Sequence, residues 1–224
     1  MKTIIADKLA SVVQHQNITR ELRVSADIPC EEGILIAAEV LDNKANYNTL
    51  ELTSGRMAQV KRGDIIVGAL GHRKALFGYS GHLPESLLPG DTLQLLNIGG
   101  VFGVCDSVNA SFGRPFDARV LGAVLDFPYL GERIGVPARV GTETLHENLP
   151  LNTNGVPVIA LAGTCMNSGK TAAACAAVSR MCHQGFTIDA FKATGVSLRR
   201  DILAMEDAGA RNTLIFTDFG VVST

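Results

Sequence analysis

The chain has 224 residues, 46% of them hydrophobic, which is enough to bury a sizeable core in two domains. Twenty basic and 22 acidic residues give a net charge of −2, which argues against nucleic-acid binding. Neither the histidines nor the cysteines show metal-ligand spacing, which argues against a zinc site. No apolar run approaches the roughly 20 residues of a membrane span, and five irregularly spaced cysteines fit a reducing compartment, so we expect a cytoplasmic protein that contacts no membrane.

The first 140 residues contain short strand-like runs that are separated by glycine-rich turns. These runs lie at 34–40, 49–53, 64–70, 75–79, 92–96 and 119–125. Short apolar runs at such close intervals are typical of a small barrel or sandwich. We therefore predict a small, mainly β, barrel-like domain over residues 1–145.

Two loops of this domain have a composition that suits ligand binding. Residues 97–103 are dense in glycine, which allows a close backbone approach, and residues 111–115 present Arg114 on a constrained turn. The alternative for both is a tight corner of the barrel, with a solvated arginine in the second. The basic cluster at 72–74 is interpreted as a solvated turn.

A polar segment that contains Pro150 follows the strand-rich half. Polar, proline-containing stretches between two apolar segments are typical of a connection between domains. We place the linker at residues 146–155 and a second domain at residues 156–224.

The second domain begins with an apolar run at 158–162, which enters a glycine-bounded loop and then a helix-forming segment at 170–184. The loop consists of Gly163, Thr164, Cys165, Met166, Asn167, Ser168, Gly169, Lys170 and Thr171. Successive backbone N–H groups at a helix N-terminus neutralise phosphates without bulky side chains. We predict a nucleotide phosphate cradle. The alternative is a glycine turn between a buried strand and a helix that contains a lysine.

Three residues of the loop have distinct expected roles. Gly169 lets the backbone approach the phosphates, Lys170 reaches the β and γ phosphates as a catalytic residue, and the Thr171 hydroxyl ligates Mg²⁺. The predicted cofactors are therefore ATP and Mg²⁺, while a preference for GTP remains open.

The positions of the glycines narrow the prediction to one group of proteins. Thr164 stands where the common phosphate-loop pattern has its first glycine, and Gly163 lies one residue earlier. This arrangement, followed by Gly169-Lys170-Thr171, resembles the loop of dethiobiotin synthetase and its P-loop relatives, which include cobyric-acid-synthase-like amidotransferases. The resemblance covers residues 156–224 and implies an α/β P-loop NTPase core.

The segment at 185–195 is similar to the second strand of the same family, in which an aromatic-lysine pair precedes a short turn. By this resemblance Lys192 is a catalytic residue that contacts phosphate or a substrate carboxylate, and Thr194 and Gly195 shape the turn. The resemblance also implies an acidic Mg²⁺ ligand just after the turn, for which Asp201 is the nearest candidate. The alternatives are a solvated lysine at a strand end and an acid in the first turn of a helix.

Asp218 is a further candidate ligand for Mg²⁺ or its water. It follows the apolar run at 213–217, and P-loop proteins place an acid at the end of such a strand. The alternative is an acid that only caps the strand.

The number of residues after the loop is small for a complete nucleotide-binding sheet. Only 54 residues follow Lys170 (224 minus 170), whereas parallel strands need crossovers and cover on both faces. We therefore expect the core to be incomplete at its C-terminus, or to be completed by another chain.

These features together predict an ATP-binding protein with the chemistry of a ligase or phosphotransferase. It would activate a small carboxylate or amine substrate by phosphoryl transfer. The alternatives are a nucleotide-dependent switch or assembly NTPase that acts through the β domain, and a chain that binds no nucleotide. The sequence leaves open whether the protein forms a homo-oligomer.

Overall fold

A computed structural model describes the chain at residues 1–14, 18–75, 77–129, 131, 133–141, 150, 152–164 and 168–224. Over these residues the chain is mainly β, with a mixed sheet of ten strands and two α-helices. The prediction of an α/β P-loop core is therefore wrong, because the large sheet is mixed, and the described parallel pair that an α-helix joins, at 189–192 and 212–215, stands apart from it. Half of the predicted linker, residues 146–149 and 151, lies outside the described residues.

The expected first strand of that core shows where the prediction failed. Residues 158–162 form no strand, and Val158, Ile159 and Leu161 are 69%, 66% and 46% exposed. Their apolar side chains satisfy the pattern of a buried strand, but the described structure supplies no partner strand for them. Hydrophobic composition alone does not specify pairing.

Among the described residues before position 140 there are twelve strands. They are β1 (Lys2–Ile5), β2 (Lys8–Leu9), β3 (Glu21–Ser25), β4 (Leu35–Val40), β5 (Thr49–Glu51), β6 (Met57–Gln59), β7 (Ile65–Leu70), β8 (Tyr79–His82), β9 (Thr92–Leu95), β10 (Val101–Val108), β11 (Phe116–Asp126) and β12 (Val136–Pro137). Each of the six predicted runs overlaps one of these strands, although the run expected at 75–79 begins only at Tyr79.

Five of the strands are paired in a closed ring. β4 lies between β11 and β7, β7 pairs with β10 in parallel, and β9 pairs with both β10 and β11. β4 and β7 are almost entirely apolar and buried, whereas β3 alternates exposed and buried residues. Gly68 permits the close approach of β7 to β10, since a Cβ at this position would lie 2.2 Å from the Gly100 carbonyl oxygen.

The remaining elements lie in the C-terminal part. They are α1 (Lys170–His183), β13 (Asp189–Lys192), α2 (Arg199–Asp207), β14 (Asn212–Ile215) and a 3₁₀ turn (Phe216–Phe219). β13 and β14 form a separate two-stranded parallel sheet, and α2 connects the two strands. Val178 of α1 packs against Met205 of α2 and against Ala210. No helix in the described ranges is long and apolar enough to cross a membrane.

The C-terminal part is attached to the large sheet by buried contacts. Val222 is fully buried within the main core, which otherwise consists of residues before position 141. The Ser11 hydroxyl donates a hydrogen bond to the Ser197 carbonyl at 2.7 Å. The Glu51 carboxylate accepts hydrogen bonds from the backbone N–H groups of Arg199 and Arg200 at 2.6 and 3.0 Å. The Glu51 contacts position the first turn of α2 against β5, which pairs with β6 in a separate two-stranded sheet.

Candidate phosphate-binding site

The predicted phosphate loop leads into the N-terminus of α1. Gly169, the residue before the helix, has a φ of +83° in the left-handed region, which glycine adopts without steric cost. Its carbonyl accepts the Ala173 N–H at 2.9 Å, so the helix begins at Lys170. No described side chain caps this end, and the first turn contains no acidic residue. The first-turn N–H groups therefore suit an anionic ligand.

The two ends of the loop approach each other closely. The Lys170 Nζ donates a hydrogen bond to the Ser168 hydroxyl at 3.1 Å. A Cβ at Gly163 would lie 2.5 Å from the Ser168 Oγ and 3.1 Å from the Lys170 stem. The absent side chain at Gly163 therefore makes room for these two residues.

The structure describes only some of the other residues of the loop. Thr164 is exposed, and Thr171 is half-buried in the first turn of α1. Cys165, Met166 and Asn167, which the sequence placed in the cradle, lie outside the described residues.

Lys192 and Asp201, which were assigned separate roles from the sequence, form an ion pair. Lys192 ends β13, and Asp201 lies in the first turn of α2. The Lys192 Nζ also donates to the Val196 carbonyl at 2.6 Å, and the two charged side chains are only 13% and 22% exposed. Their charges are therefore directed at each other. The catalytic role of Lys192 and the Mg²⁺ role of Asp201 stay predictions.

Asp218 lies in the 3₁₀ turn that follows β14 and is 8% exposed. Its Oδ2 accepts the Ile215 N–H at 2.9 Å, so one carboxylate oxygen stabilises the start of the turn. This is the capping arrangement that the sequence left as an alternative, and its Mg²⁺ role stays a prediction. Within the described ranges, no group of three or more His, Cys, Asp or Glu residues could hold a metal ion.

Comparison of the chain with known proteins adds no support for a role of this site. No family model, curated protein or solved structure matches the chain. The assignment of the loop therefore depends on its own residues.

A second polar cluster, in the β part, was missed by the sequence reasoning. Arg73 is 4% exposed, although the cluster at 72–74 was expected to be a solvated turn; His72 and Lys74 are exposed as expected. Its backbone N–H and carbonyl both pair with Gly81, at 2.8 and 2.9 Å, so it belongs to a strand pairing rather than to a free loop. The three consecutive polar residues at 72–74 give no local sequence signal of this burial.

Proposed function

We propose that the loop at residues 163–171 binds the phosphates of ATP and that the protein is an ATP-dependent enzyme. The observation that supports this most directly is the left-handed Gly169 at the start of α1, next to the close contact of Gly163 with Ser168 and Lys170. A glycine at each end keeps the loop free of bulky side chains, and the helix dipole favours an anion at this end. The resemblance of the loop to that of dethiobiotin synthetase supports the same ligand.

The proposed roles within the loop follow from charge and position. The Lys170 ammonium would exchange its hydrogen bond to Ser168 for the phosphate oxygens, where it offsets the charge that develops during transfer. The Thr171 hydroxyl would hold Mg²⁺, which would offset the negative charge of the phosphates. Backbone N–H groups of the loop and of the first helical turn complete the cradle.

The proposed reaction transfers the γ-phosphoryl group of ATP to a small carboxylate or amine. The acceptor atom forms the new bond to phosphorus while the bond to the β-phosphate oxygen breaks, which leaves ADP. Lys192 would orient an acceptor carboxylate. To do so it must exchange its ion pair with Asp201 for one with the substrate, and both partners are mostly buried.

The test is calorimetric titration of the full chain with Mg²⁺-ATP, alongside Lys170→Ala and the exposed control Lys61→Ala. We expect saturable binding that Lys170→Ala weakens by at least about tenfold, because charged hydrogen bonds to phosphate are lost. Lys61→Ala should bind as the parent does. Equal binding by the parent and Lys170→Ala, or no binding by the parent, would overturn the proposal.

A nucleotide-dependent switch is the second candidate, and the contacts of Glu51 with Arg199 and Arg200 favour it. They join β5, which forms a two-stranded sheet with β6, to α2, the helix that carries Asp201. Nucleotide turnover that rises with a small carboxylate or amine would support the enzyme. Slow turnover with nucleotide-dependent association with a partner protein or a second copy would support the switch.

We also propose a cytoplasmic location. The supporting observation is that the described cysteines, Cys30, Cys105, Cys175 and Cys182, are all free thiols. Free thiols are expected in a reducing compartment.

A further inference from the structure

The Arg73 guanidinium is a buried charge without sufficient partners. The residue is 4% exposed, yet its Nε and Nη1 donate to no described atom, and it forms no ion pair with any described residue. Arginine stays protonated in proteins, so the charge is not relieved by proton loss. Burial of an unpaired charge is costly, which makes an absent anion the natural partner.

The Arg73 guanidinium lies against Gly78 and Tyr47. A Cβ at Gly78 would lie only 3.0 Å from the Arg73 Nη2, so the glycine lets the guanidinium pack closely at this position. Burial lowers the pKa of Arg73, and the interaction with the Tyr47 phenol opposes this effect. Tyr47 itself has a φ of +50°, which is rare for a residue with a side chain and is typical of functional sites.

Lys44 brings a second cation to the same group of aromatic rings. Its Nζ donates to the Tyr79 hydroxyl at 2.6 Å and lies 5.9 Å from the centre of the Tyr47 ring. Burial lowers the pKa of Lys44, and the nearby Asp42 carboxylate partly opposes this. Tyr47 therefore interacts with both cations.

The outer side of the cluster is aromatic and partly exposed. The rings of Tyr47 and Phe112 are stacked, with centres 4.6 Å apart and planes inclined by 22°. Phe77 meets Phe112 edge-on at 4.8 Å and is 47% exposed. A flat apolar group would find matching aromatic surface here, on rings that include Tyr47, which interacts with both Arg73 and Lys44.

We infer that Arg73, Lys44, Tyr47, Phe77 and Phe112 form a binding site for a small aromatic carboxylate. The carboxylate accepts hydrogen bonds from the Arg73 nitrogens that lack partners, and Lys44 supplies the second positive charge. The ring of the ligand packs against Tyr47, Phe112 and Phe77. This site is separate from the phosphate loop and does not depend on nucleotide binding.

The first test uses benzoate as the probe, with the neutral benzamide and the ringless acetate as matched comparisons. We expect benzoate to bind saturably to the full chain in nuclear magnetic resonance titrations, with shifts at the ring protons of Tyr47 and Phe112. Benzamide should bind at least about tenfold more weakly because it lacks the charge, and acetate should be weaker because it lacks the ring. Equal binding of benzoate and benzamide, or shifts elsewhere only, would overturn the inference.

The second test uses variants. Arg73→Lys keeps the charge but removes the donors of the guanidinium and should weaken benzoate binding by at least about tenfold. Lys74→Gln, an exposed neighbour, is the control and should bind benzoate as the parent does. If Arg73→Lys fails to fold, Phe112→Leu replaces it and should lower the affinity for benzoate more than that for acetate. Unchanged affinity in the folded variant would contradict the site.

Discussion

The phenol of Tyr79 shows how burial changes the chemistry of a single residue. It is 1% exposed and accepts a hydrogen bond from the Lys44 Nζ at 2.6 Å, while its oxygen lies 3.4 Å from the carbonyl oxygen of Phe112. A phenolate here would be desolvated, so burial raises the pKa of Tyr79 to about 12. The residue therefore stays neutral throughout the physiological range.

The raised pKa predicts a loss of stability at high pH. An acid with a raised pKa in the folded state stabilises the fold fully below its unfolded value, near pH 10, and this contribution is lost as the pH rises towards 12. In an ultraviolet titration of the three tyrosines, we expect one to ionise after the others and Tyr79→Phe to abolish that late step. The exposed control Tyr129→Phe should retain it; a late step that survives Tyr79→Phe would contradict the prediction.

Arg114 and Arg73 show how far the exposure of a single residue could be predicted from the sequence. The alternative of a solvated Arg114 agrees with its exposure, but the solvated turn expected at 72–74 is wrong for Arg73. Both arginines lie in short polar segments next to glycine or aromatic residues. Only the pairing of Arg73 with Gly81 and the approach of Tyr47 distinguish them, and such tertiary contacts are not encoded in a local pattern.

Helix α2 depends on a distant residue for its N-terminal cap. Leu198 precedes the helix and has no side-chain acceptor, so the backbone N–H groups of Arg199 and Arg200 bond instead to Glu51. Glu51 is fully buried, and the positive end of the helix dipole compensates its charge. The partners are 148 and 149 positions apart, so no capping motif in the sequence could reveal them.

Glu51→Gln should destabilise the protein. Glutamine has the same shape as glutamate, but its side chain is uncharged. Its amide NH₂ group would also face one of the two backbone N–H groups that the Glu51 carboxylate binds. We expect a loss of about 1 to 3 kcal/mol in the free energy of unfolding. The matched control is Glu39→Gln, which removes an ion pair with Arg119 near the surface; solvent screens this pair, so its loss should cost less than about 1 kcal/mol. Urea denaturation checks both, and similar losses would contradict the capping role.

The sequence predicted the positions of six of the strands described before residue 140, namely β4, β5, β7, β8, β9 and β11, but not their partners. The runs that became β4 and β7 and the run at 158–162 share the same apolar signal, because local hydrophobicity detects a segment suited to burial. The first two are covered by neighbouring strands, whereas Val158 and Ile159 remain exposed. The assumption that a phosphate loop implies a parallel core therefore produced the error in fold class.

A residue near the C-terminus, Val222, belongs to the main hydrophobic core of the β part. Val222 is fully buried, and a Cβ at Gly71 would lie 2.8 Å from its Cγ1 and a Cβ at Gly33 3.7 Å from its Cγ2. Gly71 thus makes room for a side chain 151 positions later in the chain (222 minus 71). The C-terminal part therefore contributes directly to the stability of the large sheet.

Val222→Ala should lower the free energy of unfolding by about 2 kcal/mol, since it removes two buried methyl groups and leaves a cavity. Val156→Ala, at a position that is 65% exposed, is the control and should change stability by less than about 0.5 kcal/mol. Chemical denaturation measures both. If Val222→Ala were as stable as the control, the C-terminal segment would not contribute to the core.

The pairing within the closed ring of strands determines when each strand can meet its partners as the chain is synthesised. β4 pairs with β7, which soon follows it, but its other neighbour, β11, emerges only about 80 residues later. Until then one edge of β4 has no partner, and contacts between such distant segments form slowly because long loops must close first. The nascent chain thus passes through a period with an open hydrophobic edge, when a chaperone would bind most readily.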